Sequence, residues 1–185
     1  MDTTDDELVM CERLRLRLES EPRMNDVNWK FCNEDTLVRY LRAWSHNEEK
    51  ALQMLQRTLE WRDQVKHETV VCRSCLDDGA SHSMRGVGID LMGRPVFYSQ
   101  FALIRNGESE SNTEHLIFKL ENVFKSENVR HHSYVWIIDF AGFSRKDVSL
   151  SFAKHALKMF QDHYPERLGV AVLLDPQLFS ILYGS

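Results

Sequence analysis

The chain has 185 residues, 43% of them hydrophobic and 28% charged, with a net charge of −5. That is enough for one compact domain with a small helical appendage, and the negative balance argues against nucleic acid as the main partner. No apolar run approaches the ~20 residues of a membrane span, and the acidic start from Met1 to Glu7 lacks the basic-then-apolar layout of a signal peptide. A cytoplasmic protein, peripheral at membranes, is expected, with Cys11, Cys32, Cys72 and Cys75 reduced.

In chain order, Leu8, Cys11, Leu14 or Arg15, and Leu18 follow helical spacing, and Pro22 closes the segment. After a polar linker, Leu37, Val38, Tyr40, Leu41 and Trp44 predict a helix over 34–45. Asn47 is the candidate N-cap of another, running to about His67 and burying Leu52, Leu55 and Leu59. Residues 1–67 therefore read as a helical lobe. Residues 68–83 lose periodicity and read as a linker. The cluster His67, Cys72, Cys75 and His82 has zinc-like residue types. Its outer spacing fits no standard finger and no second CxxC follows, so the pair reads as two ordinary cysteines, with no metal and no cofactor expected.

Residues 84–185 alternate strands and helices. Gly86 to Phe101 fits a hairpin with a Gly-containing turn, although the third Gly of a dinucleotide fingerprint is missing. Asn112 or Thr113 is the candidate cap of a helix carrying Leu116, Ile117 and Leu120. Residues 134–139 form a strongly apolar strand, and 144–162 an amphipathic helix. Pro165 biases Tyr164 away from helical geometry, so that helix should end there. Gly169 permits a sharp turn, and the run Val170 to Leu174 is short enough for a strand buried on both faces. Glu166 and Arg167, adjacent and opposite in charge, read as a pair at the strand's mouth. Helices covering a sheet make an α/β layer. Asp139 and Asp175 end strands, where α/β folds often bind ligands. No nucleophile elbow and no HExxH accompany them, and no enzyme is expected.

Several segments together resemble the CRAL-TRIO lipid-binding family. They are residues 36–43 (TLVRYLRA), 59–62 (LEWR), 90–96 (DLMGRPV), 138–142 (IDFAG) and 162–169 (DHYPERLG). The resemblance implies an N-terminal helical lobe followed by a mixed β-sheet covered by helices, with a cavity for one hydrophobic molecule under a gating helix. It also implies that this chain, ending at Ser185, lacks the gating helix and the last strand. Tyr134 and Trp136 share one sheet face, as do Phe97 and Ser99, and the matching strands in the family help line the cavity. Phe97, Ser99, Tyr134 and Trp136 are the expected lipid contacts, with Phe160 from the covering helix. Phosphoinositide-binding members carry basic residues where Trp44 and Ser45 stand, which leaves Glu166 and Arg167 as a headgroup or structural pair.

The function expected is binding of a small hydrophobic lipid in an internal cavity, for intracellular transfer or presentation, with transient membrane contact. The alternative is a truncated, non-transferring isoform that docks a protein or membrane through an open C-terminal edge.

Overall fold

The computed structural model describes residues 3–125, 129, 131–144 and 150–175. Residues beyond Asp175 lie outside them, as does the part of the expected 144–162 helix between Ser144 and Leu150. The chain divides into two compact units. A helical unit takes in residues 1–66 and 159–166, and a sheet unit residues 67–158 and 167–185.

In the helical unit, α1 (Asp5–Leu18) opens on a capping box. The Thr4 hydroxyl accepts from the Glu7 backbone N–H, and the Glu7 carboxylate accepts from Thr4 N. The linker expected after Pro22 contains a short helix, α2 (Asp26–Phe31), capped by Asn25. α3 (Glu34–Ala43) and α4 (Glu48–Val65) are capped by Asn33 and Asn47, as the sequence predicts for the latter. Leu14, Leu18, Leu37, Leu41, Leu55 and Leu59 are fully buried together. Leu14 takes the core position that the periodicity shares with Arg15. At roughly 1.5–3 kcal/mol per buried aliphatic side chain, this packing is what holds the helices together.

The sheet unit begins with α5 (Arg73–Asp77), a short helix inside the stretch read as a linker. β1 (Arg85–Ile89) and β2 (Pro95–Gln100) form the expected antiparallel hairpin. Its turn is closed by Asp90, whose Oδ1 accepts from the backbone N–H groups of Met92 and Arg94 and whose Oδ2 accepts from Arg94 Nε at 2.7 Å. Gly93 in that turn has φ 82°, a conformation that favours glycine.

α6 (Ser109–Val123) starts three residues before the expected cap. Asn112 is inside the helix, and its amide donates to the carbonyls of Asn106 and Glu108. β3 (Tyr134–Asp139) and β4 (Leu168–Leu174) add in parallel, giving a mixed sheet of order β1-β2-β3-β4. α7 (Leu150–His163) ends just before Tyr164-Pro165, as the proline requires, and its residues 159–163 belong to the helical unit.

Two expectations for the last strand change. β4 is not buried on both faces: all seven of its residues are exposed, and among the described residues it is an edge strand paired with β3. An apolar run marks a strand without saying how many neighbours cover it. Gly169 is not at a turn but inside β4, where the register with β3 shifts. A Cβ there would lie 2.6 Å from Ser133 Oγ and 3.2 Å from Ser133 Cβ, so glycine is demanded by a close approach.

Candidate functional site

Strand alternation and register sort the sheet into two faces. Phe97 and Ser99 of β2 lie beside Trp136 and Ile138 of β3, with Tyr134 on the same side. α6 covers this face, since Ser99 and Trp136 line a small pocket together with His115 and Leu116, and Phe152 of α7 joins them. The opposite face carries Val96, Tyr98 and Gln100, then Val135, Ile137 and Asp139, then Val170, Val172 and Leu174. Tyr98 and Ile137 are half-buried, and Val172 is 38% exposed.

The residues expected to touch a lipid have distinct settings. Phe97 and Tyr134 are 1% and 0% exposed and pack edge to face, with ring centroids 5.5 Å apart. Burial pushes the Tyr134 phenol well above its ordinary pKa, and its hydroxyl is buried without a hydrogen-bond partner among the described residues. Ser99 is fully buried and accepts from Trp136 Nε1 at 2.9 Å. Phe160 lies in the helical unit, its ring 6.4 Å from that of Tyr164.

Glu166 and Arg167 do different things. Glu166 is exposed, with φ 58°. Arg167 is half-buried; its Nη1 donates to the His132 carbonyl at 2.6 Å, and its guanidinium sits 4.0 Å from the Phe124 ring centroid.

The helical unit supplies buried polar and aromatic contacts that sequence reasoning did not single out. Arg39, 2% exposed, donates to Pro165 O at 3.1 Å, to Thr36 Oγ1 and to Asp35 Oδ2. The Tyr40 hydroxyl donates to His163 O, and Thr58 Oγ1 to Asp162 O. Trp61 stacks on His163 with ring centroids 4.2 Å apart and planes 4° from parallel. These bonds occupy carbonyls at and just beyond the C-terminus of α7 that have no partner inside the helix. They tie the segments around 36–43, 58–61 and 162–165 together: side chains of the first two clamp the backbone and the His163 ring of the third. The available signal was Arg39, a charge set in the apolar stripe of α3.

Asp139, at the end of β3, accepts from the Tyr98 hydroxyl at 2.6 Å and from Ala141 N. Those bonds, the Tyr98 one first, hold its carboxyl below the usual carboxylate range. They make it a turn-capping group of the strand end. Cys72, Cys75, His82 and His115 bring four possible metal-donor atoms within 4.8 Å of one another; His67 is not among them. No helix among the described residues is long and apolar enough to cross a membrane.

Comparison with known proteins bears on this geometry. Phosphatidylinositol transfer protein PDR17 of Saccharomyces cerevisiae is 23% identical over 95% of this chain and 55% of its own length. Patellin-6 of Arabidopsis thaliana is 23% identical over 80% of this chain and 40% of its own, and Patellin-2 of the same plant 27% identical over 80% and 23%. This chain thus spans between about a quarter and just over half of these relatives. The crystal structure of Sfh5 superposes with a TM-score of 0.67 over 99% of this chain and 76% of that one, at 16% identity, which speaks to the fold. The profile of the CRAL/TRIO domain matches residues 84–183, the hairpin, both parallel strands and the helices between them. By that match, which covers more than half of its residues, the chain belongs to the CRAL/TRIO domain family.

Proposed function

We propose that this domain holds one small hydrophobic lipid against its sheet, for transfer between membranes or presentation at one. The observation that carries the reading is the CRAL/TRIO match across the whole described sheet. The printed name of one relative, a phosphatidylinositol transfer protein, agrees with it. The two faces of the sheet are not equally suited. The pocket between Ser99, Trp136 and α6 encloses about 30 Å³, room for a water molecule; ligand pockets run to roughly 300–1,000 Å³. The opposite face offers apolar, half-exposed side chains at Val96, Tyr98, Ile137 and Val172. In this reading the lipid lies on that face. Phe97, Ser99, Tyr134 and Trp136 form the packed layer behind it, and Phe160 belongs to the helical unit. No catalytic role is assigned to Asp139, which the Tyr98 bond occupies.

A second reading rests on β4. Leu168, Leu173 and Leu174 are 49%, 43% and 42% exposed on an edge strand, the kind of surface that docks a partner or a bilayer. Native mass spectrometry and lipid extraction of the purified protein separate the two. The expected result is one lipid per chain, with loading at least tenfold lower in Ile137→Glu and unchanged in Trp136→Phe. A protein that takes up no lipid from vesicles yet sediments with them overturns the first reading in favour of the second.

A further inference from the structure

We propose that Cys72, Cys75, His82 and His115 form a structural zinc site that staples the segment before the hairpin to α6. The four donor atoms lie within 4.8 Å of one another, and Cys75 Sγ is 3.4 Å from His115 Nδ1. Zinc–sulfur bonds of ~2.3 Å and zinc–nitrogen bonds of ~2.0–2.1 Å at tetrahedral angles put donors about 3.3–3.8 Å apart. The cluster's longest separation, at most 4.8 Å, needs to contract by no more than about 1.5 Å.

The residue types match the metal. Two thiols and two imidazoles are the donor set of closed, four-coordinate zinc sites, and thiolate favours zinc over calcium or magnesium. The elements bring them together in the required way. Cys72 and Cys75 lie at the start of α5, where Cys75 N donates to Cys72 O. His82 follows in the approach to β1. His115 comes from the middle of α6, 33 positions further on, too far for a sequence motif to reveal. Cys72, His82 and His115 are buried and Cys75 half-buried.

The surrounding hydrogen bonds orient both imidazoles for ligation. His115 Nε2 sits 2.9 Å from the Met84 carbonyl, which can only accept, so the proton is on Nε2 and the lone pair on Nδ1 faces Cys75. His82 Nδ1 sits 3.2 Å from Asn112 Oδ1. The Asn112 amide nitrogen donates to Asn106 O and Glu108 O, so its oxygen must face His82. That leaves the lone pair on His82 Nε2, which the Ser111 hydroxyl at 3.2 Å engages and which would exchange that hydrogen bond for the metal. A ligating histidine whose second nitrogen is anchored to a carbonyl is the usual outer arrangement of metal sites. With four protein ligands no coordination position is left for water, which makes the site structural rather than catalytic. The proposal is independent of what the sheet binds.

The test uses the whole chain, purified under reducing conditions without chelator. Elemental analysis is expected to find one zinc per chain. After chelation, added Co2+ is expected to restore one equivalent with the visible bands of tetrahedral cobalt and sulfur-to-cobalt charge transfer. Cys75→Ser and His115→Ala should each weaken Co2+ binding at least a hundredfold. Asn112→Ala should weaken it about tenfold through the His82 ring, and Cys11→Ser/Cys32→Ser should leave it unchanged. If a ligand variant fails to fold, the wild-type cobalt spectrum still decides. No retained zinc together with a cobalt spectrum lacking thiolate charge transfer overturns the proposal. So does a chain two mass units light from a Cys72–Cys75 disulfide formed under these reducing conditions.

Discussion

Glu7 is a carboxylate 4% exposed on α1, and the residues around it explain how it can be there. Arg42 donates to it through Nε at 2.7 Å and Nη2 at 2.9 Å; His46 Nε2 lies 3.0 Å away, and Thr4 N closes the capping box. The Arg42 bonds are the main cause that holds its carboxyl far below the ordinary value of 4.5, against the cost of burial. Because the folded pKa is depressed, the stabilisation is fully present above about pH 4.5 and is lost as pH falls through the folded value. Glu7→Gln removes the charge and keeps the shape. The expectation is that the wild type melts at a higher temperature than Glu7→Gln near neutral pH and that the gap narrows steadily below about pH 4.5. A gap that stays constant down to about pH 3 would mean the carboxylate contributes nothing through ionisation.

Between elements, Arg167 is the residue through which the entry to β4 meets its neighbours. Its guanidinium joins the His132 carbonyl, just before β3, to the face of Phe124 at the end of α6. A charge-assisted hydrogen bond contributes ~1.5–3 kcal/mol, and a cation over an aromatic face ~0.5–2 kcal/mol depending on exposure. We infer that this residue ties the elements together and does not read a headgroup. Arg167→Ala should therefore lose about 2–3 kcal/mol in urea denaturation, and Arg167→Lys should recover part of it. The distribution of co-purifying lipids should not change. A stable Arg167→Ala protein with an altered lipid preference would restore the headgroup role. The sequence made the end of α7 legible because Pro165 acts within one residue of itself, and Asn47 because a cap acts on the next turn. It did not make the exposure of β4, the close approach at Gly169 or the partnership of His115 with Cys75 legible. Each of those depends on a neighbour more than 30 positions away.

At the scale of the molecule, the question is which lipid the charges permit. Phosphate headgroups are held by arginine and lysine side chains with donors to spare. Here three arginines of the family-like segments are engaged by the protein's own backbone, hydroxyls and acids. Arg39 serves Asp35, Thr36 and Pro165, Arg42 serves Glu7, and Arg167 serves His132. Trp44 reaches Met54 Sδ through its indole nitrogen, where a basic residue would have offered a free cation. The sheet face assigned to the lipid is apolar except for Arg85, whose guanidinium lies 5.4 Å from the Tyr98 ring centroid, and for Tyr98, Gln100 and Asp139. The last three form a closed group at one end, Tyr98 bonding Asp139 and Gln100 bonding Ala141 O. A phosphate buried against those three would meet Arg85 alone on that face among the described residues, too few donors to offset a burial cost of several kcal/mol. Lipid transfer assayed with vesicles should therefore show phosphatidylinositol moved no more than about twofold faster than phosphatidylcholine, and a neutral lipid with a small headgroup moved faster than either. A preference of about tenfold or more for phosphatidylinositol would show that some of these arginines exchange their present partners for the headgroup when lipid arrives.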